Sequence, residues 1–268
     1  MTSSKKTAVV TGASSGIGAV YADRLAARGF DLVLVARRAD RLASLAEKLS
    51  KQYGIKVQSL VADLEKDEDI AKVEHVLAND PSVTMLVNNA GLARLRTMAE
   101  STRDDSRAQM ALNVVALTRL TETVLPVFVA RNEGTIINVA SVLAVESWAI
   151  SSVYSGTKAY VLAFSRGIQD ELAKANSNVK LQVVLPASTA TEIWTEGVSG
   201  VPMSALKQDT IMTTENCVDA ALSGLDMGEA ITMPSVENDS LWTTYDTARA
   251  HLFAATQTGT PASRYRKA

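Results

Sequence analysis

The chain has 268 residues, 47% hydrophobic and 21% charged, which suits one large α/β domain over 1–268 with a sizeable core. A net charge of −2 and a pI of about 5.8 give no electrostatic footprint for nucleic acid. No apolar run approaches the ~18 residues that span a bilayer, no signal-peptide pattern is read, and a single Cys217 excludes an internal disulfide, so a cytoplasmic setting is expected.

Thr7–Thr11 reads as a short strand, followed by Thr11-Gly12-Ala13-Ser14-Ser15-Gly16-Ile17-Gly18 and a helix with Ile17, Tyr21 and Leu25 on one face. Strand, glycine turn and helix make the setting of a phosphate cradle. Glycines let backbone N–H groups approach a pyrophosphate, and the helix N-terminus supplies partial positive charge. Three residues separate the first two glycines, unlike the commoner Gly-x-Gly-x-x-Gly spacing. Asp31–Ala36 is a continuous apolar strand that ends in Arg37-Arg38. In a dinucleotide-binding βαβ unit this position meets the adenosine ribose, where a carboxylate suits NAD and an arginine suits the 2′-phosphate of NADP. Two arginines precede the first acid, Asp40, so charge pairing favours NADP(H), and Arg37→Asp is expected to weaken or reverse that preference.

The alternation continues. Leu42, Leu45, Ala46 and Leu49 mark a helix face, Lys56–Ala62 a strand running into Asp63-Leu64, and Ile70, Val73 and Leu77 the next helix. Thr84–Val87 is a strand ending in Asn88-Asn89-Ala90-Gly91. Repeated βα units predict a doubly wound parallel sheet of about seven strands, helices on both faces, and ligands at the strands' carboxyl ends. A long helix is predicted from about 104 to 130, carrying Met110, Leu112, Val114, Leu117, Leu120 and Leu125, with Pro126 bending its last turn. Asn113 is embedded in it, either as a satisfied core amide or as part of a polar relay. Thr135–Val139 is the next strand and ends at Ala140-Ser141.

Val153-Tyr154-Ser155-Gly156-Thr157-Lys158-Ala159-Tyr160 opens another long helix, with Ser151 and Ser152 offering capping hydroxyls and Ala159, Leu162, Ala163, Ile168 and Leu172 following at helical spacing. Positions four apart share a face, so the Lys158 ammonium is expected to lower the Tyr154 phenol from its usual pKa of ~10. Six tyrosines and 12 lysines in 268 residues give about one chance in four of such a pair by accident. Company at the right distances is what raises it. Ser141 stands 13 residues earlier, so a loop can bring both to one sheet edge. Val179–Leu185 is the sixth strand and leads into Pro186-Ala187-Ser188-Thr189-Ala190-Thr191. From about 192 to 212 periodicity dissolves, as in a lid or binding loop. Thr214–Met227 is a helix holding Cys217 on its apolar side, Ala230–Met233 a short strand, and Ser240–Ala255 a last helix before a polar tail. His75 and His251 are isolated, so no metal site is read.

In joint order and spacing, the Thr11–Gly18 loop, Asn88–Gly91, Asn113, Ser141, Tyr154 and Lys158 resemble the short-chain dehydrogenase/reductase family in its single-domain Rossmann-fold form, over roughly Lys6 to Met233. The resemblance implies Tyr154 as general acid/base, Ser141 as hydrogen-bond donor to the substrate oxygen, Lys158 on the nicotinamide ribose, and Asn113 holding a water that links Lys158 to solvent. It also implies an NADP(H) site of Gly12, Ser14, Ser15, Gly16, Ile17, Gly18, Arg37, Arg38, Asp63, Leu64, Asn88, Ala90, Gly91, Pro186, Ala187, Thr189 and Thr191 together with Tyr154 and Lys158. Ala187 departs from the family's usual glycine. A homodimer or homotetramer is implied too. The expected activity is metal-free, NADP(H)-dependent interconversion of a ketone or aldehyde with an alcohol, of the carbonyl-reductase type. Leu92, Leu95, Leu143, Val145, Trp148, Ile193, Trp194 and Met203 are expected to face a hydrophobic substrate, with Glu146 and Glu192 placed to orient an amine or hydroxyl. The rival reading is a non-catalytic NADP(H)-binding sensor or scaffold, which is expected to lack Tyr154 or Lys158.

Overall fold

A computed structural model describes residues 6–266. Its contacts divide the chain, read above as one domain, into two compact units, Met1–Pro234 and Ser235–Ala268.

The first unit holds one seven-stranded parallel sheet in the order β3-β2-β1-β4-β5-β6-β7. Its strands are β1 (Thr7–Thr11), β2 (Asp31–Ala36), β3 (Val57–Val61), β4 (Val83–Asn88), β5 (Thr135–Val139), β6 (Lys180–Val184) and β7 (Ile231–Thr232). The helices are α1 (Gly16–Ala27), α2 (Ala39–Tyr53), α3 (Asp67–Asn79), α4 (Arg103–Met110), α5 (Leu117–Arg131), α6 (Ser152–Lys174) and α7 (Thr214–Met227). From β1 the order runs outward through β2 to β3, then returns to place β4 on the other side of β1. That reversal opens a crevice beyond the carboxyl ends of β1 and β4, where a doubly wound sheet takes its ligand.

Helices α1, α2 and α7 cover one face, and their core contains Tyr21, Leu25, Leu42, Leu49, Val218 and Leu222 against Val10, Leu34, Val87 and Ile137 of the strands. On the other face α5 packs on α3 and against β4 and β5, while α6 packs on β5 and β6. Inner strands are continuous apolar runs because both faces are covered, whereas the edge strand β3 is half exposed and keeps the polar Gln58 and Ser59. Cys217 is buried among Val218, Ala221 and Leu222, and burial pushes its thiol up to about 11.

Three expectations need correction. The long helix is continuous from Arg103 to Arg131 but is π-helical over Ala111–Ala116; Leu117 and Leu120 are buried as expected, together with Gln109, Asn113, Ala116, Thr121, Val124 and Phe128, whereas Met110 is exposed. Pro126 lies inside α5, which runs on to Arg131. Secondly, this helical run does contain an 18-residue window of mean hydropathy 1.4, long and apolar enough to cross a bilayer, although it packs in the fold as a crossover. Thirdly, Ser151 occupies the N-cap of α6 without capping it. Its hydroxyl accepts from Trp148 N at 2.9 Å and pairs with Ser155 Oγ at 2.8 Å.

The second unit contains α8 (Ser240–Thr256), opened by a turn in which Asn238 accepts from the amide and hydroxyl of Ser240. Leu241, Leu252 and Phe253 are exposed on it.

Candidate active site

Tyr154 and Lys158 sit in the first two turns of α6. Lys158 is only 4% exposed, and its Nζ donates to the Val139 carbonyl at 2.9 Å, tying the helix to the carboxyl end of β5. Its nitrogen lies 5.7 Å from the centre of the Tyr154 ring. Burial pulls the amine down to about 8. The phenol moves the opposite way from the expectation. Burial pushes Tyr154 up to about 12, opposed by a hydrogen bond with Ser141, and the ammonium does not reverse that balance. Ser141 follows β5, and its Oγ also accepts from Leu143 N at 3.1 Å, which fixes the hydroxyl at the start of a 3-10 turn over Val142–Ala144.

Asn113 sits on the π-helical turn, where a wider repeat re-aims one side chain. Its Nδ2 donates to Leu92 O at 2.8 Å and Thr157 Oγ1 at 3.0 Å, and its Oδ1 accepts from Leu92 N at 2.8 Å. Its amide is thus satisfied in the core. It clamps the loop after β4 onto the helix that carries Tyr154. Asn113→Ala leaves three polar groups without this partner in the interior and is expected to cost about 3 kcal/mol. Thermal unfolding should then show a melting temperature lower by about 6–12 °C.

At the nucleotide end, Gly12 (φ +68°) and Gly16 (φ +56°) adopt left-handed backbone. A Cβ on Gly12 would lie 2.8 Å from Asn89 Nδ2, and one on Gly16 would lie 3.1 Å from Thr191 Cγ2. No side chain caps the N-terminus of α1. The loop is thus a shallow cradle with helix-end N–H donors, a fit for the pyrophosphate of a dinucleotide. Thr11 Oγ1 accepts from the amides of Asn89 and Ala90, both at 3.0 Å, which ties the segment after β4 to the end of β1. Arg38 donates to Ser14 Oγ at 3.2 and 3.0 Å and to Ser15 Oγ at 2.7 Å, whereas Arg37 is 64% exposed and pairs with Glu65 at 3.5 Å. Of the two arginines, Arg38 is the one turned onto the cradle.

One cleft of about 420 Å³ joins these parts. Gly12, Ser14, Ser15, Gly16, Ile17, Arg37, Arg38, Asp63, Leu64, Ala90 and Gly91 line its nucleotide side. Ser141, Tyr154, Lys158, Pro186, Ala187, Thr189 and Thr191 line the rest. Ala187 keeps negative φ, so its methyl group brings no backbone strain. Gly18, Asn88 and Asn113 stand outside the lining. A Cβ on Gly18 would lie 2.4 Å from Gly12 O, so that glycine lets the helix close on the loop. Asn88, expected on the adenosine side, instead donates in the core to Thr121 Oγ1 at 3.1 Å and Asn138 Oδ1 at 3.0 Å. Its neighbour Asn89 lines the cleft; alternation along β4 carries that signal.

Leu92, Leu95, Leu143, Trp148, Ile193 and Trp194 line the cleft; Val145, Glu146 and Met203 do not. The loop after β6 is tied down at both ends. Trp194 Nε1 donates to Thr189 O at 2.9 Å, Leu95 N donates to Ser199 O at 2.7 Å, and the Arg94 guanidinium donates to Val198 O. Glu192, expected to be placed for a substrate amine or hydroxyl, is engaged by two arginines instead. Its carboxylate accepts from Arg38 at 2.7 Å and Arg41 at 2.5 Å, and those guanidinium groups hold it down to about 2. Arg41 was missed as a site residue, although its i, i+3 spacing from Arg38 is a readable signal.

A family model described as short chain dehydrogenase matches residues 6–200. The chain belongs to that family. A short-chain dehydrogenase from Sphingobium yanoikuyae in complex with NADPH is 40% identical, with a TM-score of 0.91 over 97% of this chain and 100% of that one. The bulky-bulky ketone specific alcohol dehydrogenase from Comamonas testosteroni is 34% identical, with a TM-score of 0.89 over 98% and 99%. Human 17-beta-hydroxysteroid dehydrogenase type 3 is 33% identical over 186 residues, which is 69% of this dehydrogenase and 59% of that relative. This chain therefore spans about three-fifths of that relative's length.

Proposed function

We propose that the chain is an NADP(H)-dependent carbonyl reductase or alcohol dehydrogenase that interconverts a hydrophobic, bulky ketone or aldehyde with its alcohol. The observation that carries this reading is one cleft holding a half-buried Tyr154 hydrogen-bonded to Ser141 at one end and a glycine cradle faced by Arg38 at the other. The NADPH complex of the Sphingobium dehydrogenase and the ketone specificity of the Comamonas enzyme, whose folds cover nearly the whole chain, support it.

When bound, the nicotinamide supplies or accepts the hydride. Everything else falls to side chains. For reduction, Tyr154 enters protonated, as burial dictates, and gives its proton to the carbonyl oxygen. The Ser141 hydroxyl, held by Leu143 N, donates to the same oxygen and steadies the alkoxide as charge develops. Lys158 keeps a cation near the phenol, anchored on Val139 O, which favours the phenolate left behind. Leu92, Leu95, Leu143, Trp148 and Trp194 exclude water and present an apolar wall to the substrate. The site is carried whole by residues before Pro234.

A homodimer or homotetramer and a cytoplasmic setting belong to the same proposal. Exposed Met110, Val115, Val129 and Tyr160 along the α4–α6 region support the assembly. The test is NADPH consumption, followed by near-ultraviolet absorbance, over a panel running from small aliphatic to bulky aromatic ketones. Turnover should rise with apolar bulk. Tight NADPH binding with no turnover of any carbonyl would favour the sensor reading.

A further inference from the structure

Arg38, the N-cap residue of α2, and Arg41, in its first turn, both reach Glu192 of the irregular loop after β6, and Arg38 and Glu192 line the cleft's nucleotide end. Each oxygen of Glu192 takes one guanidinium, Oε2 with Arg38 at 2.7 Å and Oε1 with Arg41 at 2.5 Å. The other N–H groups of Arg38 go to the hydroxyls of Ser14 and Ser15. Two cations therefore converge on a single carboxylate, one of them also reaching the cradle hydroxyls. Of the nearby acids, Glu65 is engaged by Arg37. Two guanidinium charges face one carboxylate charge, which leaves the site net positive. A phosphate monoester, with three terminal oxygens and a charge of about −1.5 to −2 at neutral pH, matches the set better.

We propose that Glu192 is an internal counter-anion of the Arg38–Arg41 pair, and that the ribose 2′-phosphate of the dinucleotide displaces it and so unlatches the loop leading to the substrate end. The inference rests on the NADP(H) reading above and adds Arg41 to the phosphate-binding residues. Glu192 is 51% exposed, so its ion pairs are cheap to exchange. Displacement reaches the substrate because the same loop, six and seven residues on, supplies Val198 and Ser199 to the cleft wall and is pinned there by Leu95 N and Arg94. A nucleotide without the 2′-phosphate has nothing to exchange for the carboxylate and leaves the latch shut.

Calorimetric titration of NADPH and NADH into the parent, Glu192→Gln and Arg41→Gln proteins tests this. Glu192→Gln should bind NADPH about three- to tenfold more tightly with NADH changed by less than about twofold, and Arg41→Gln should lose a similar factor for NADPH alone. Unchanged or weaker NADPH binding by Glu192→Gln overturns the latch. A parent protein that binds the two nucleotides equally brings down the NADP(H) reading itself, a result visible before any substitution is made. Hydrogen exchange adds a readout independent of catalysis. Adenosine 2′,5′-bisphosphate should speed exchange of the amides in 192–199 while adenosine 5′-monophosphate does not; slower or equal exchange with the bisphosphate refutes displacement.

Discussion

Tyr154→Phe is expected to slow ketone reduction by about 10²- to 10⁴-fold while leaving the dissociation constant for NADPH unchanged. The phenyl ring keeps the packing, and what disappears is one hydroxyl in contact with Ser141. That hydroxyl is fully protonated at neutral pH, because burial pushes it up to about 12. Direction should therefore separate by pH. Reduction needs the protonated phenol and should be flat through neutral pH, whereas alcohol oxidation needs the phenolate and should climb about tenfold per unit. Ser141→Ala should slow both directions, and the double variant should lose less than the product of the two single losses, since both groups act on one oxygen. Steady-state rates with a saturating ketone check the set. A Tyr154→Phe variant as fast as its parent would mean that the proton comes from elsewhere.

The sheet was legible because its physics is local. Asp31–Ala36 and Thr214–Met227 match their predicted bounds residue for residue. In the first, an unbroken apolar run meets polar ends; in the second, Thr213 accepts from Asn216 N and Gly228 closes the helix in left-handed backbone. The glycine cradle and the Tyr154–Lys158 pair were legible for the same reason, since spacing alone sets what shares a face. What escaped depends on contacts distant in sequence. The π-helical turn at Ala111–Ala116 has no local signature, because it exists to aim Asn113 at Leu92 and Thr157. Asn88 and Asn89 are equivalent as letters, and only strand phase sends one to the core and the other to the cleft. Glu192 meets Arg38 across 154 positions of sequence. The sign of the Tyr154 shift was misjudged because one helical turn fixes how near the ammonium lies, not how much water either group loses.

That loss of water makes Lys158 the second large effect. In the folded chain its amine falls from 10.5 to about 8 through burial. Between those two values the unfolded chain binds more protons than the folded one, so the stability tied to this group rises as pH climbs and is flat below about 8. Comparison with Lys158→Met cancels most other titrations, although Tyr154 is close enough to couple. Urea unfolding of parent and variant near pH 7 and pH 10 should shift the difference in the parent's favour by about 2 to 3 kcal/mol. A constant difference, or one moving the other way, would mean that the amine is hydrated and that the cleft is wetter than its packing shows. At neutral pH the ammonium is therefore held at a cost, against Val139 O and one turn from the phenol. The methionine variant should accordingly lose turnover at the pH where it loses no stability, since the charge that strains the fold is the one that favours the phenolate left by proton transfer.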